Sequence, residues 1–139
     1  MDASGAPVER YIVYIVECRV DIDVHYALST SRLIDRSAAN VHALISNLAC
    51  SEAYARLESV MLGELSTVDG FNWGNLEPDV DMTGECVVRS RLVCFAEPIE
   101  TDAEFVSVVD GLVFENLSSI PGVSFYKESD EVRTSRADA

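Results

Sequence analysis

Lysine is almost missing from this chain of 139 residues, in which nine of the ten basic side chains are arginine and only Lys127 is lysine. Set against 24 carboxylates, they leave a formal net charge of −14 at pH 7. An excess of this size repels phosphates and anionic lipid headgroups. We therefore expect neither direct nucleic-acid binding nor attachment to a membrane.

Cysteine pairs with metal-ligand spacing are also missing, because Cys18, Cys50, Cys86 and Cys94 form no CxxC motif. Residues 1–7 lack the basic region and apolar run of a signal peptide. No apolar stretch approaches the roughly 20 residues that a membrane helix needs. These absences predict a cytoplasmic protein with reduced thiols, or a virion component if the protein is viral.

A metal site is not indicated by the remaining candidate ligands. Cys86 and Cys94 are roughly 26 Å apart if both lie on one strand, so they cannot share a metal ion, and we interpret the thiols as small core residues. Glu77, Asp79 and Asp81 alternate like calcium ligands, but Met82 stands where an EF-hand loop needs glycine. We assign no metal ligand and no cofactor.

Catalytic signatures are equally scarce. The only histidines are His25 and His42, and neither comes with the nucleophile and orienting acid of a hydrolase. The stretch from Gly70 to Gly74 lacks the lysine and the following helix of a phosphate-binding loop. We assign no catalytic residue, and a non-enzymatic role is the first hypothesis.

The strongest structural signal is the stretch of residues 11–24. Its even positions, from Ile12 to Val24, are apolar without a break, whereas its odd positions are apolar only as far as Ile15 and polar from Glu17 onward. Side chains alternate between the two faces of a strand. The pattern predicts a long strand with one face buried throughout and the other divided into an apolar and a charged half.

A second strong strand is predicted over residues 85–96, and two amphipathic helices account for most of the remainder. The first helix spans 37–62, either kinked or as two abutting helices, and ends at Gly63. The second begins at a capping box formed by Thr101 and Glu104. Weaker strands are predicted within 68–74 and over 123–127. Residues 27–36 are predicted to be a connection.

Together these elements predict a single α+β domain with a β-α-β-β-α-β order, the split βαβ arrangement of ferredoxin-like folds. We expect a four-stranded, mainly antiparallel sheet with both helices on one face. Residues 1–8 would be a loose leader, 9–128 the folded core, and 129–139 a charged, frayed tail.

Three functional classes are consistent with this architecture, which by itself identifies none of them. The first is an interaction protein that assembles through its sheet face into a homo-oligomer or a larger complex. In size and layout the chain resembles small α+β ring subunits in the neck and tail of tailed viruses. The second is a dimeric α+β-barrel enzyme or ligand binder, because the turn from Ile120 to Val123 resembles the turns into the last strand of such proteins. The third is an acidic mimic of nucleic acid that acts as an inhibitor.

The sheet face away from the helices carries the candidate interface. Antiparallel pairing of the two long strands brings apolar side chains from both strands together and sets Glu17 and Asp21 near Arg89 and Arg91. An exposed apolar patch on a folded domain is typical of an interaction site. The predicted interface consists of Tyr11, Val13, Ile15, Val93 and Phe95. The alternative is that the leader or the segment 65–83 folds over this patch and covers it.

The acidic composition carries one further expectation. A chain rich in carboxylates and poor in lysine resembles the proteins of salt-loving organisms, in which carboxylates keep the surface hydrated. A genome of high GC content would also favour arginine over lysine. If the acidic surface is instead an adaptation to salt, we expect the protein to gain stability in concentrated salt.

Overall fold

The computed structural model describes residues 8–61, 70–96, 101–129 and 132–136. The elements in chain order are β1 (Val8–Asp21), α1 (Val24–Thr30), α2 (Ala38–Met61), β2 (Gly70–Trp73), β3 (Glu77–Val80), β4 (Glu85–Ala96), α3 (Asp102–Leu117), β5 (Val123–Lys127) and β6 (Arg133–Arg136).

The strands form one antiparallel sheet in the order β2-β4-β1-β5, with β3 also paired to β4 and β6 also paired to β1. The predicted α+β class is confirmed, and so is the central pairing of the two longest strands. The sheet has six strands rather than the four predicted. Two short strands occupy the place of each predicted edge strand. Strands β2 and β3 both pair with the same side of β4, and β5 and β6 both pair with the same side of β1.

Both long helices pack on the even-numbered side chains of β1 and β4, as their alternation predicts. One cluster joins Ile12, Tyr14 and Leu92 to the C-terminal end of α2 and to the whole buried stripe of α3. A second cluster joins Cys18, Val20 and Val88 to α2 from Val41 to Ala53. Burial of these side chains is nearly complete. Removal of this apolar surface from water is the main force that holds the helices on the sheet.

Helix α2 is a single element over 24 residues, although the sequence leaves open a kink near Cys50. Its buried side chains follow a four-residue spacing from Val41 through Ala53 to Leu57. Ala53 continues the buried stripe at a position where the sequence has no large apolar residue. The predicted end at Gly63 lies outside the described residues.

Helix α3 begins where its capping box predicts. The Thr101 hydroxyl accepts a hydrogen bond from the Glu104 N–H at 3.2 Å. Its buried stripe is Phe105, Val109, Val113 and Leu117, and Val108, which the sequence places on this stripe, is 42% exposed.

The predicted connection at 27–36 is wrong at its start, because α1 occupies Val24–Thr30. The alternation in β1 continues to Val24, yet the strand ends at Asp21. The Asp23 carboxylate accepts a hydrogen bond from the Tyr26 N–H at 3.0 Å and so caps a helix. Local capping therefore overrides the period-two pattern in the last residues of the predicted strand.

The two ends of the described chain also differ from the prediction. Val8, expected in the leader, already belongs to β1, and β6 lies within the segment expected to be a frayed tail. Val8 pairs with Arg136 and Tyr11 pairs with Arg133, so each end supplies the other with a strand partner. Such pairing satisfies backbone groups irrespective of the side chains, which is why composition alone does not reveal it. Residues 1–7 and 137–139 lie outside the described part.

Candidate interaction face

The sheet surface opposite the helices is formed by the odd-numbered side chains of β1 and β4, and we call it the odd face. Helices α2 and α3 both pack on the other side. Its members from β1 and β4 are Tyr11, Val13, Ile15, Glu17, Arg19, Asp21, Glu85, Val87, Arg89, Arg91, Val93 and Phe95.

The apolar end of the odd face brings together all five residues predicted for the interface. Tyr11 is paired with Phe95, and their ring centroids are 6.3 Å apart with a 43° angle between the planes. Val13 is paired with Val93, and Ile15 follows on β1. Sheet register thus places these side chains in one continuous group, as the alternation predicts.

Exposure within this group is uneven. Val13 is only 3% exposed and Ile15 9%, whereas Tyr11, Val93 and Phe95 are partly exposed. Ile15 lies between Arg91 of β4 and Tyr126 of β5 in the register. The low exposure of Val13 and Ile15 shows that other residues cover these two side chains. A partner would therefore touch Tyr11, Val93 and Phe95 first.

The middle of the odd face is neutralised by ion pairs. Arg89 Nη2 lies 3.2 Å from Glu17 Oε2, a cross-strand pair that the sequence predicts. Arg91 Nε lies 3.1 Å from Glu128 Oε2 rather than beside Asp21. Register explains the difference, because Asp21 is paired with Glu85 at the far end of the strands. Exposed pairs of this kind contribute about 0–1 kcal/mol each.

The acidic end of the odd face borders an open cavity of about 760 Å³. Four carboxylates line it, those of Asp21, Asp79, Asp81 and Glu85, together with the guanidinium of Arg19. Asp21 and Glu85 face each other directly across the strand pair, an arrangement of like charges that destabilises a sheet. The Thr83 N–H donates to Asp81 and lowers the pKa of that carboxyl. The cavity is therefore strongly anionic at neutral pH.

The thiols have the environment of core residues. Cys18, Cys86 and Cys94 are buried on the helix side, and Cys50 is half-buried. Burial raises the pKa of Cys94 to about 12, and it also raises the pKa of Cys18 despite the opposing charge of Arg56. Reactive cysteines have the opposite shift. Among the described residues, no group of histidine, cysteine and carboxylate side chains could hold a metal ion.

The two histidines are both exposed and far apart in the chain. His42 Nδ1 lies 3.4 Å from Ser46 Oγ, one helical turn along α2. Both groups are on the exposed side of that helix, away from the odd face. No helix in the described part of the chain is long and apolar enough to cross a membrane.

A buried polar network joins α3 to the sheet on the helix side. The Tyr14 hydroxyl donates to Asp110 Oδ1, and Lys127 Nζ lies 3.1 Å from Asp110 Oδ2. Tyr14 is 2% exposed, and burial, reinforced by the Asp110 carboxylate, holds the pKa of its phenol well above the ordinary value. A phenol with so high a pKa stays protonated, so the network is a structural contact between β1, α3 and β5.

The interface predicted from the sequence does not include Phe114 and Tyr126, two aromatic residues that are exposed in the structure. Phe114 is 64% exposed on α3 and makes an edge-on contact with Phe125 of β5, with ring centroids 6.5 Å apart at 73°. Tyr126 is 52% exposed on the odd face beside Ile15. The signal for Phe114 is in the sequence, since an aromatic residue there falls outside the buried stripe of an amphipathic helix.

Comparison with known proteins adds no family or relative, so the functional proposal rests on the geometry of the odd face. No protein-family model matches the chain, and no curated protein matches it either.

Proposed function

We propose that this chain is a non-enzymatic assembly protein that docks a protein partner, either another copy of itself or a different subunit, on the apolar end of its odd face. The observation that carries the proposal is the grouping of partly exposed Tyr11, Val93 and Phe95 on a sheet face against which neither α2 nor α3 packs. Aromatic residues are enriched at the centres of protein interfaces. The compartment that goes with this role is the cytoplasm, or the virion for a ring subunit of viral type.

The framework behind this face is, in our proposal, a ferredoxin-like sheet with interrupted edges. Support comes from the order β2-β4-β1-β5, in which the two long strands are central and antiparallel. Strand β3 extends the position of β2, and β6 extends that of β5. The rigid pairing of β1 with β4 would hold the docking residues in a fixed arrangement.

The arrangement of charge favours a partner with a matching pattern. The ion pairs of Glu17 with Arg89 and of Glu128 with Arg91 separate the apolar end from the acidic end. A partner would bury its apolar side chains against Tyr11 and Phe95 and place basic groups toward the cavity. Charge patterns of this kind set orientation and association rate more than affinity.

Replacement of Phe95 by glutamate tests the proposal. Phe95 is partly exposed, so the variant should fold while the buried carboxylate disrupts docking. Sedimentation velocity over a concentration series should show that Phe95→Glu loses the assembly formed through the odd face. The dissociation constant of that assembly should rise by about tenfold or more. Val13→Asp is a poorer test, because Val13 is 3% exposed and a charge there would unfold the protein.

The matched control is Val108→Glu, which adds the same charge at a 42% exposed position on the helix side. It should assemble like the wild type. If Phe95→Glu is folded by circular dichroism and assembles as well as Val108→Glu, the apolar end is not the docking surface.

The acidic mimic remains a second candidate because four carboxylates line one cavity on the same face. It predicts binding to a basic nucleic-acid-binding protein that DNA competes away. On this hypothesis, Asp79→Asn and Glu85→Gln would weaken such binding because they remove negative charge from the cavity. Phe95→Glu would leave the binding unchanged. A pocket that contains His25 or Trp73 would favour the ligand-binding α+β barrel. This hypothesis has less support, because Trp73 packs with the helix-side cluster and His25 is exposed on α1.

A further inference from the structure

The outer edge of β5 carries backbone groups that face away from the sheet. The Arg19 N–H donates to Gly122 O at 2.8 Å, and the Glu128 N–H donates to Val13 O at 2.8 Å. Hydrogen-bonded positions alternate along an antiparallel pair, so Ser124 and Tyr126 also bond to β1. Phe125 and Lys127 therefore direct their N–H and C=O groups outward. Val123 directs its C=O outward, while its N–H donates to Ile120 O at 3.3 Å.

No strand in the described ranges pairs with this outer edge, since β1 is the one partner of β5. The opposite edge of the sheet is different. The Asp81 N–H donates to Glu85 O at 3.2 Å, and the same alternation makes Pro78 an outward-facing position of β3. Proline has no N–H to offer there, a common way of protecting a sheet edge from strand addition. The β5 edge has no such interruption, since Phe125 and Lys127 both offer outward N–H groups.

We propose that a second copy of this chain adds to the β5 edge by antiparallel pairing about a two-fold axis at Phe125. The outward positions are placed symmetrically around Phe125, so the edge is complementary to itself. Phe125 would exchange N–H···O bonds with Phe125 of the second copy, and each Lys127 N–H would donate to Val123 O of the other copy. The two sheets would then become one continuous sheet.

The side chains fit this arrangement in polarity and charge. Phe125 meets its own copy on the helix side, where Phe114 is 64% exposed and lies edge-on to it. Four aromatic rings would form one cluster across the axis. The register places no like charges opposite each other within β5, and Lys127 is already paired with Asp110.

Residue-resolved amide exchange over a protein concentration series, in molar salt that screens the net charge of −14, tests this pairing. The Phe125 and Lys127 amides should become protected as the dimer forms. The Tyr126 amide is the internal control, because it bonds to β1 in the monomer and should be protected at every concentration.

Phe114→Glu should weaken the dimer by about tenfold or more, since it sets a carboxylate beside its own copy across the axis. Val108→Glu is the control on the same helix. Val108 is two residues from Asp110, whereas Phe114 is about one turn from it, so Val108 and Phe114 lie on different sides of α3. Phe95→Glu separates this edge from the odd face, because it should leave the β5 dimer intact. The inference is overturned if the protein stays monomeric, or if it dimerises without protection of Phe125 and Lys127.

Discussion

At the scale of single residues, Tyr14 shows how one polar group orients a helix. Its hydroxyl donates from β1 to Asp110 of α3, and Asp110 also holds Lys127, the only lysine of the chain. Three elements thus meet at one carboxylate. A buried hydrogen bond of this kind contributes about 0.5–1.5 kcal/mol, and more when one partner is charged.

Tyr14→Phe should lower the free energy of unfolding by about 1–2 kcal/mol at pH 7. The pKa of Tyr14 is raised in the folded state, so its contribution is complete below the ordinary phenol pKa and is lost as the pH rises above it. The difference between wild type and variant should therefore shrink above about pH 10. Urea unfolding at pH 7 and above about pH 10 measures this difference in the free energy of unfolding. Tyr126→Phe, at an exposed position, is the control. An unchanged difference at high pH would contradict the assignment.

At the scale of elements, the turn into β4 depends on a glycine that no other residue can replace. Gly84 has a φ of 102°, and a Cβ built there would lie 2.0 Å from the Ile22 carbonyl oxygen. Its own carbonyl accepts the Ile22 N–H at 2.8 Å. This close approach joins the end of β1 to the start of β4 and so helps to set their register.

Gly84→Ala should destabilise the protein by about 2 kcal/mol or more, because it adds a clash to an unfavourable backbone conformation. Gly111→Ala is the matched control. Gly111 lies inside α3, and nothing lies within 4 Å of a Cβ built there. That change should stabilise by about 0.5–1 kcal/mol. Equal effects of the two substitutions on the melting temperature would show that the Gly84 turn is not constrained.

At the scale of the whole molecule, charge is the dominant feature. Among the described residues, five ion pairs involve half of the ten basic residues of the chain, namely Arg10, Arg56, Arg89, Arg91 and Lys127. The 24 carboxylates far outnumber them. Self-repulsion among the excess carboxylates opposes the compact state, and dissolved salt reduces it.

The melting temperature should rise when potassium chloride is increased from about 0.05 to 2 M, over which the screening length falls severalfold. Asp79→Asn combined with Glu85→Gln removes two charges from the acidic end and should reduce this gain. Equal melting temperatures in dilute and concentrated salt would contradict a halophilic surface.

Much of the fold follows from local patterns in the sequence. The alternation of side chains identifies β1 and β4 and assigns their residues to two faces, because a strand has a fixed period of two. The bounds of β4, β5 and the start of α3 follow from Thr83-Gly84, Pro121-Gly122 and the Thr101 cap. The pairing of Tyr11 with Phe95 and of Glu17 with Arg89 then follows from antiparallel geometry.

The remaining features depend on contacts between residues far apart in the chain. Strand β6 forms because the first residues of β1 offer it a backbone partner, and its polar side chains give no sign of this. Val13 and Ile15 are far less exposed than Tyr11 and Phe95, although all four follow the same alternation on one face. The contact between Phe114 and Phe125 depends on how α3 lies across the sheet. The sequence alone thus determined which residues share a face, since strand periodicity is local. Only the tertiary structure decided which of them remain exposed to a partner, because exposure is set by neighbours that the chain brings together on folding.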